Sequence, residues 1–296
     1  MFRLGHVTDP HFRGWEGARA GLFTGKRVIG AVNLVVNRRR RHKMELLAAL
    51  GQDVRAQGLD HLALTGDLSN ISLEGEWQAA LRWLAEAEFG PETATVIPGN
   101  HDAYVPDVME SGRFEQLFGA FQSADLPLDA GAAYPFVRLR GQVALVGVTS
   151  SVPTGDLGAW GQVGAAQLGR LAAALAAPAL RGKTRVVLIH HPPVLLKGDE
   201  SRNLKDRRAL ADLLAGTGAE LVLHGHDHRD QRATLAGPGG HAIPIVGAGS
   251  ASYTGGADRR ARYNIYEIDG CGITVVTRAH DEASDTFREV RREKLV

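Results

Sequence analysis

Five short stretches of this 296-residue chain gather side chains that can hold a metal ion or move a proton. They are Thr8-Asp9-Pro10-His11, Gly66-Asp67, Gly99-Asn100-His101-Asp102, His190-His191-Pro192 and Gly225-His226-Asp227-His228. Each carries a glycine or proline of the kind that forces a tight turn. Carboxylate, amide and imidazole together form a mixed oxygen and nitrogen donor set, and imidazole also serves as a general acid or base. Taken singly, each stretch is an ordinary turn. The third is less ordinary: a surface turn uses the glycine and tolerates the asparagine of Gly99-Asn100, but it has no use for His101. The remaining histidines, His6, His42, His61, His241 and His280, are expected to be core or surface residues. His191 and His224 border the stretches, and a supporting place is expected for them.

Each stretch needs an element to position it. Strand-like runs cover Phe2–Thr8, His61–Thr65, Thr93–Pro98, Val143–Thr149, Thr184–His190 and Glu220–His224, and five of them lead into the stretches above. Between the runs lie apolar stripes at helical spacing: Met44, Leu47, Leu50 and Val54; Trp77, Leu81 and Leu84; Leu168, Leu171 and Leu175. Such alternation predicts an α/β domain with a largely central sheet. Ligand sites in such sheets form beyond the carboxyl ends of the strands, so the five corners can converge. The last quarter has Arg232–Leu235, Ala242–Val246, Tyr263–Ile268 and Ile273–Arg278 with only loops between them, which predicts an antiparallel finish. Its last two runs flank Asp269-Gly270-Cys271-Gly272 as a hairpin. The charged tail from Asp285 to Lys294 is expected to be a packed helix or a solvated end. With no repeat and no linker, residues 1–296 are expected to form a single domain.

In order and context, the five stretches resemble the calcineurin-like metallophosphoesterases, whose signature is D-x-H, G-D, G-N-H-[DE], H and G-H-x-H. They run from residue 9 to residue 228. The resemblance implies a four-layer αββα sandwich and a two-metal phosphoric ester hydrolase that uses a water shared between the ions. Carried over position by position, Asp9, His11 and His228 hold the first metal, and Asn100, His190 and His226 the second. Asp67 bridges the two, and His190 is chosen over His191 because it precedes His-Pro. His101 becomes the group that stabilises or protonates the leaving oxygen, with Asp102 orienting its ring. Two divalent ions against only two carboxylates leave a net positive site that attracts phosphate. Mixed nitrogen and oxygen ligands favour Mn, Fe, Zn or Co over Mg or Ca.

The same resemblance narrows the substrate. Protein serine/threonine phosphatases of this superfamily continue from Gly-Asp into a run ending Asp-Arg-Gly and carry Glu after Gly-Asn-His. Here the chain reads Gly66-Asp67-Leu68-Ser69-Asn70, and Asp102 follows His101. The pattern is closer to bacterial enzymes similar to cyclic-nucleotide phosphodiesterases. A scaffold that keeps the fold without the chemistry would lose ligands, and none is missing. No basic stripe interleaved with aromatics is present, so no nucleic acid partner is expected.

One segment stands apart. Residues 19–43 carry Arg19, Lys26, Arg27, Arg38, Arg39, Arg40, Arg41 and Lys43 with no acidic residue. Leu22, Ile29, Val32 and Val36 fall on one helical face, with Val28 and Val35 beside it. Two readings stand: a cap packed on the body with solvated arginines, or an amphipathic element on an anionic lipid surface. Gly25-Lys26-Arg27-Val28-Ile29-Gly30, followed by Asn33 and Arg38–Arg41, looks like a segment of some UDP-diacylglucosamine pyrophosphate hydrolases. That likeness implies a lipid-linked nucleotide substrate, its phosphates on the arginines.

Bulk properties exclude little else. Hydrophobic content of 44%, charged content of 23% and a net charge of +1 describe an ordinary globular chain with no global pull toward polyanions. The single cysteine, Cys271, precludes an internal disulfide. No apolar run approaches the roughly 20 residues of a membrane span. The early start of the first strand leaves no room for a signal peptide, so a cytoplasmic protein is expected, at most peripheral at the inner membrane face.

Overall fold

In the computed structural model, the strand-like runs form two six-stranded sheets laid face to face. The structure describes residues 1–38, 41–128, 131–155, 158–195, 202–256 and 259–296, so Arg39 and Arg40 of the basic run lie outside the described residues. The chain begins with β1 (Phe2–Val7), then the insert with α1 (Lys26–Asn33) and a π-helical turn (Leu34–Arg38), then α2 (Met44–Ala56). Next come β2 (His61–Thr65), α3 (Glu74–Glu86), β3 (Ala94–Ile97), α4 (Pro106–Glu110), α5 (Arg113–Phe118), β4 (Phe136–Arg140) and β5 (Val143–Gly147). The second half holds α6 (Ala165–Leu175), β6 (Thr184–Leu188), α7 (Arg207–Thr217), β7 (Leu221–His224), β8 (Gln231–Ala236) and β9 (Ala242–Gly247). It ends in β10 (Arg262–Asp269), β11 (Gly272–Asp281) and β12 (Thr286–Lys294).

The first sheet runs β12-β11-β10-β1-β2-β3 and the second β4-β5-β6-β7-β9-β8. In the first, β1, β2 and β3 are parallel. In the second, β5, β6, β7 and β9 are parallel. These parallel strands are apolar and buried along their length, as β2 shows with all five residues covered, because they need cover on both faces. Between the sheets lie Leu4, Ala63, Ile97, Leu145, Leu188, Leu223 and Tyr266. Outside the first sheet, Leu47, Leu50 and Val54 of α2 pack with Trp77, Trp83 and Leu84 of α3. Outside the second, Leu171 and Leu175 of α6 pack with Leu210 and Leu214 of α7. The order of layers is therefore helix, sheet, sheet, helix, as the family resemblance implied.

Two expectations change, and one left open gains a direction. The single central sheet read from periodicity is two sheets, because alternation reports covered faces but not which strands pair. The tail is neither helix nor solvated end. It is edge strand β12, paired with β11, and its charges suit an edge that must not recruit further strands. In the insert, the apolar stripe faces out: Arg27 and Leu34 are buried while Val28, Ile29, Val32, Val35 and Val36 are exposed. Among the described residues, no helix is long and apolar enough to cross a membrane.

Two histidines are sealed inside this frame. His6 Nε2 meets Thr65 Oγ1 at 2.8 Å, and His61 Nε2 meets Thr95 Oγ1 at 2.7 Å. Burial pushes both pKa values down to about 3, helped at His61 by the Arg138 charge. A histidine kept neutral by the fold adds stability above its unfolded pKa near 6.5, and that contribution is lost as pH falls toward 3. His61→Gln is therefore expected to flatten the acid-side decline of the urea unfolding free energy by about 1.4 kcal/mol per pH unit in that window. An unchanged slope would mean that His61 takes up a proton without unfolding.

Candidate metal centre

The five sequence stretches lie at the carboxyl ends of β1, β2, β3, β6 and β7. The first two corners are tied together by backbone bonds, Asp9 N–H to Gly66 O and His11 N–H to Asp67 O, both 3.1 Å. Asp9, His11, Asp67, His226 and His228 all have left-handed backbone, with φ of 50°, 49°, 54°, 73° and 51°. Non-glycine residues adopt this region at a cost of about 1–3 kcal/mol, and such strain collects at functional sites. Two glycines permit the close approach. A Cβ on Gly99 would lie 2.3 Å from Asp67 N and Oδ1, and one on Gly225 would lie 1.9 Å from Thr8 Oγ1.

The corners converge into two donor sets that share one carboxylate. Asp9, His11, Asp67 and His228 form one, and Asp67, His190 and His226 form the other. His11 Nε2 lies 3.1 Å from His228 Nε2, and His228 Nε2 lies 3.2 Å from Asp9 Oδ1. Asn100 completes the second set, its Oδ1 3.2 Å from His190 Nε2 and 2.9 Å from His226 Nδ1. Asp67 sends Oδ2 toward His11 (3.9 Å) and Oδ1 toward His190 (3.4 Å).

The donor chemistry fits cations. His11 Nδ1 donates to Ser69 O at 3.0 Å, His190 Nδ1 to Thr65 O at 2.7 Å and His226 Nε2 to Arg202 O at 2.9 Å. A carbonyl can only accept, so each neutral ring turns its other nitrogen lone pair inward, the usual arrangement behind metal-ligating histidines. Those lone pairs face Asn100 Oδ1 and two carboxylates, which leaves acceptors confronting acceptors. Asp9 Oδ1 is buried without a hydrogen bond, although Oδ2 accepts from Thr8 Oγ1 and His226 N–H. The electrostatics agree. Burial would raise the pKa of Asp67, yet His190, His101 and His11 hold it well below the usual carboxylate range. Burial would lower that of His190, yet Asp67 and Asp9 raise it to about 9, so this ring carries a proton inward unless a cation takes its place. This pocket calls for positive charge.

His101 sits at the rim, half-buried. Its backbone N–H donates to Asp67 Oδ1 at 2.8 Å, and its Nδ1 meets Asn70 O at 2.5 Å. The ring stacks on Tyr104 with centroids 5.4 Å apart. Asp102 does not orient this ring. Its carboxylate instead accepts from the backbone N–H groups of Leu68, Ser69 and Gly99, from Ser69 Oγ and from Trp77 Nε1, all within 3.0 Å. Burial, then the Asp67 charge, pushes its pKa up, and those donors act against the rise. Asp102 is thus the peg that fixes the β2 and β3 corners. His191 supports from behind, bonded to Ser150 Oγ and packed 4.4 Å from the His226 ring.

One residue was missed. His42, expected to be core or surface, ends the insert and lies beside the first donor set, its ring 4.8 Å from that of His11 and 5.3 Å from that of His228. It forms a third cluster with those two histidines. Ser252 Oγ donates to Pro10 O at 2.7 Å, so it must accept from His42 Nδ1 at 2.8 Å, which leaves Nε2 of the neutral ring as an acceptor. No local spacing announces this: His42 follows an arginine run and meets Tyr253, far along the chain, through a backbone bridge and an edge-to-face ring contact.

The sequence model of the calcineurin-like phosphoesterases matches residues 2–230. The chain belongs to this family. With its two donor sets, this phosphoesterase is a metal-dependent hydrolase. It is 31% identical over 256 residues to a cAMP/cGMP dual specificity phosphodiesterase of Mycobacterium tuberculosis, covering 84% of this chain and 67% of that one. It is 32% identical over 199 residues to a probable cyclic nucleotide phosphodiesterase of Rhodococcus erythropolis, covering 66% of this chain and 58% of the relative. The fold is similar to a dimetal phosphatase from Danio rerio, with TM-score 0.61, 13% identity and 98% of both chains covered. It is also similar to a purple acid phosphatase from yellow lupin, with TM-score 0.57 and 12% identity over 97% of this chain and 52% of the other.

The two donor sets make separable demands on the phosphoesterase. Asn100→Ala should weaken one metal position at least about tenfold and leave the other filled, whereas Asp67→Ala should weaken both. Metal content after dialysis against manganese measures this directly. Full retention of two ions by Asp67→Ala would remove the bridging role.

Proposed function

We propose that this phosphoesterase hydrolyses a phosphodiester or pyrophosphate bond in a nucleotide-type substrate, using two divalent ions. The carrying observation is the position of Asp67 between two donor sets, with a half-buried imidazole beside it. Asp9, His11, Asp67 and His228 would hold one ion, and Asp67, Asn100, His190 and His226 the other. When bound, such a pair polarises phosphoryl oxygens and lowers the pKa of water, and the nitrogen-rich donors favour Mn, Fe, Zn or Co.

The chain's own residues do the rest. Asn70 O holds a proton on His101 Nδ1, and Tyr104 holds the ring plane. The opposite nitrogen can then carry a proton toward a leaving oxygen. Asp102 acts one step removed, by keeping the corners that carry Asp67 and His101 in register. Cyclic nucleotides are the substrate favoured by the two relatives, one a cAMP/cGMP phosphodiesterase and the other a probable cyclic nucleotide phosphodiesterase. A lipid-linked nucleotide pyrophosphate is the second reading, favoured by the outward apolar face of the insert beside the site.

Leaving-group dependence tests the role of His101. His101→Ala should keep both metals and lower turnover of a cyclic nucleotide by about two to three orders of magnitude. On a bis-nitrophenyl diester, whose leaving group needs no proton, the loss should be much smaller. Equal losses on both substrates, or loss of metal, would defeat the proton-donor assignment.

A further inference from the structure

The insert is an amphipathic helix mounted inside out. Arg27, Gly30 and Leu34 face the body, with Arg27 7% and Leu34 3% exposed. The valines and the isoleucine face away: Val28 is 44% exposed, Ile29 46%, Val32 59% and both Val35 and Val36 57%. Helices that merely cap a domain do the reverse, because arginine hydrates well and valine does not. The mounting is specific. Arg27 Nε donates to Ile71 O at 3.2 Å and its Nη2 to Ser72 O at 3.3 Å, and Lys26 Nζ donates to Thr154 Oγ1 at 2.8 Å. Gly30 lets the helix sit down on Tyr104, since a Cβ there would lie 2.6 Å from the Tyr104 hydroxyl.

We infer that this outward face docks on an anionic lipid surface. Charge selects that occupant. Residues 19–43 contain no Asp or Glu, and Arg38–Arg41 follow the apolar stripe after one asparagine. Arg19, Arg41 and Lys43 are exposed. Two copies of the chain meeting through this stripe would bring like-charged segments together, whereas anionic headgroups around a buried stripe neutralise them. The apolar surface also continues beyond the helix. Trp15 is 46% exposed and shares with Arg13, Leu34, Val35 and Met44 a cleft of about 340 Å³, and tryptophan favours the headgroup level of a membrane.

Docking would bring the metal centre to the membrane. The helix rests on Tyr104, which stacks on His101, and the segment ends in His42 beside His11. A phosphate ester held in the interface would then enter the site without leaving the surface. The docking itself does not depend on the proposed reaction, and vesicle binding tests it separately.

The experiment is flotation of the full chain with vesicles of phosphatidylcholine, alone or with about one phosphatidylglycerol in three. The chain should float with the anionic vesicles, not with the neutral ones, and salt of about 0.5 M should release much of it. The double variant Val32→Asp with Val36→Asp should partition at least about tenfold less, because two charges would enter the buried face. The same variant should retain the wild-type melting temperature and wild-type turnover of a small soluble diester. Flotation of the double variant at the wild-type level would overturn the inference, as would wild-type binding to neither vesicle. A wild-type dimer that Val32→Asp with Val36→Asp splits, without vesicle binding, would assign the stripe to self-association and equally overturn it. If vesicles bind but no diester is cleaved with any metal tried, the reaction proposal fails and the docking stands.

Discussion

Everything at the centre depends on one buried carboxylate that both donor sets must share. Asp67 turns one oxygen toward His11 and the other toward His190, and a shift of its backbone would disturb both sets together. Nothing apolar could replace it: the imidazoles around it are held with lone pairs inward, so the space between them demands cations. The protein meets this demand from behind. Carbonyls of Thr65, Ser69 and Arg202 lock the rings, and Asp102 pins the corners with five accepted hydrogen bonds.

That local order has a conformational cost. Five of the clustered donor residues occupy left-handed backbone that glycine would adopt more easily. Glycine there would offer no carboxylate or imidazole, so the strain is a consequence of needing both the turn and the side chain. Glycines stand nearby instead, beside Asp67 at Gly66, Asn100 at Gly99 and His226 at Gly225, where the corners pass too close for any Cβ. Parallel strands of the two sheets hold these corners in place, and the apolar layers on both faces of each sheet supply the rigidity.

The insert shows how position changes the meaning of a pattern. The apolar residues on a basic segment fit a packed cap and a surface-seeking element equally well until their direction is known. The contacts of Arg27 and Gly30 set that direction, and they involve residues some forty to seventy positions away. The same segment delivers His42, whose part in the site follows from its bond to Ser252.

The amino-acid sequence by itself determined the donor residues, because tight turns after apolar runs carry a recognisable order of Asp, Asn, His and Gly. It also determined the buried faces of α2, α3 and α6, since helical periodicity records burial directly. Edge strand β12 escaped notice, as its charges hide the alternation that marks a half-buried strand. So did the true partner of His101, a backbone carbonyl at Asn70, because backbone acceptors are the same at every residue and leave no mark in a sequence. Tertiary structure alone decided which sheet each strand joined, where Asp102 spends its oxygens, and which way the insert faces. The physical reason is common to all three: side-chain type is a local property, whereas direction and partnership are set by residues that become neighbours only when the two sheets close.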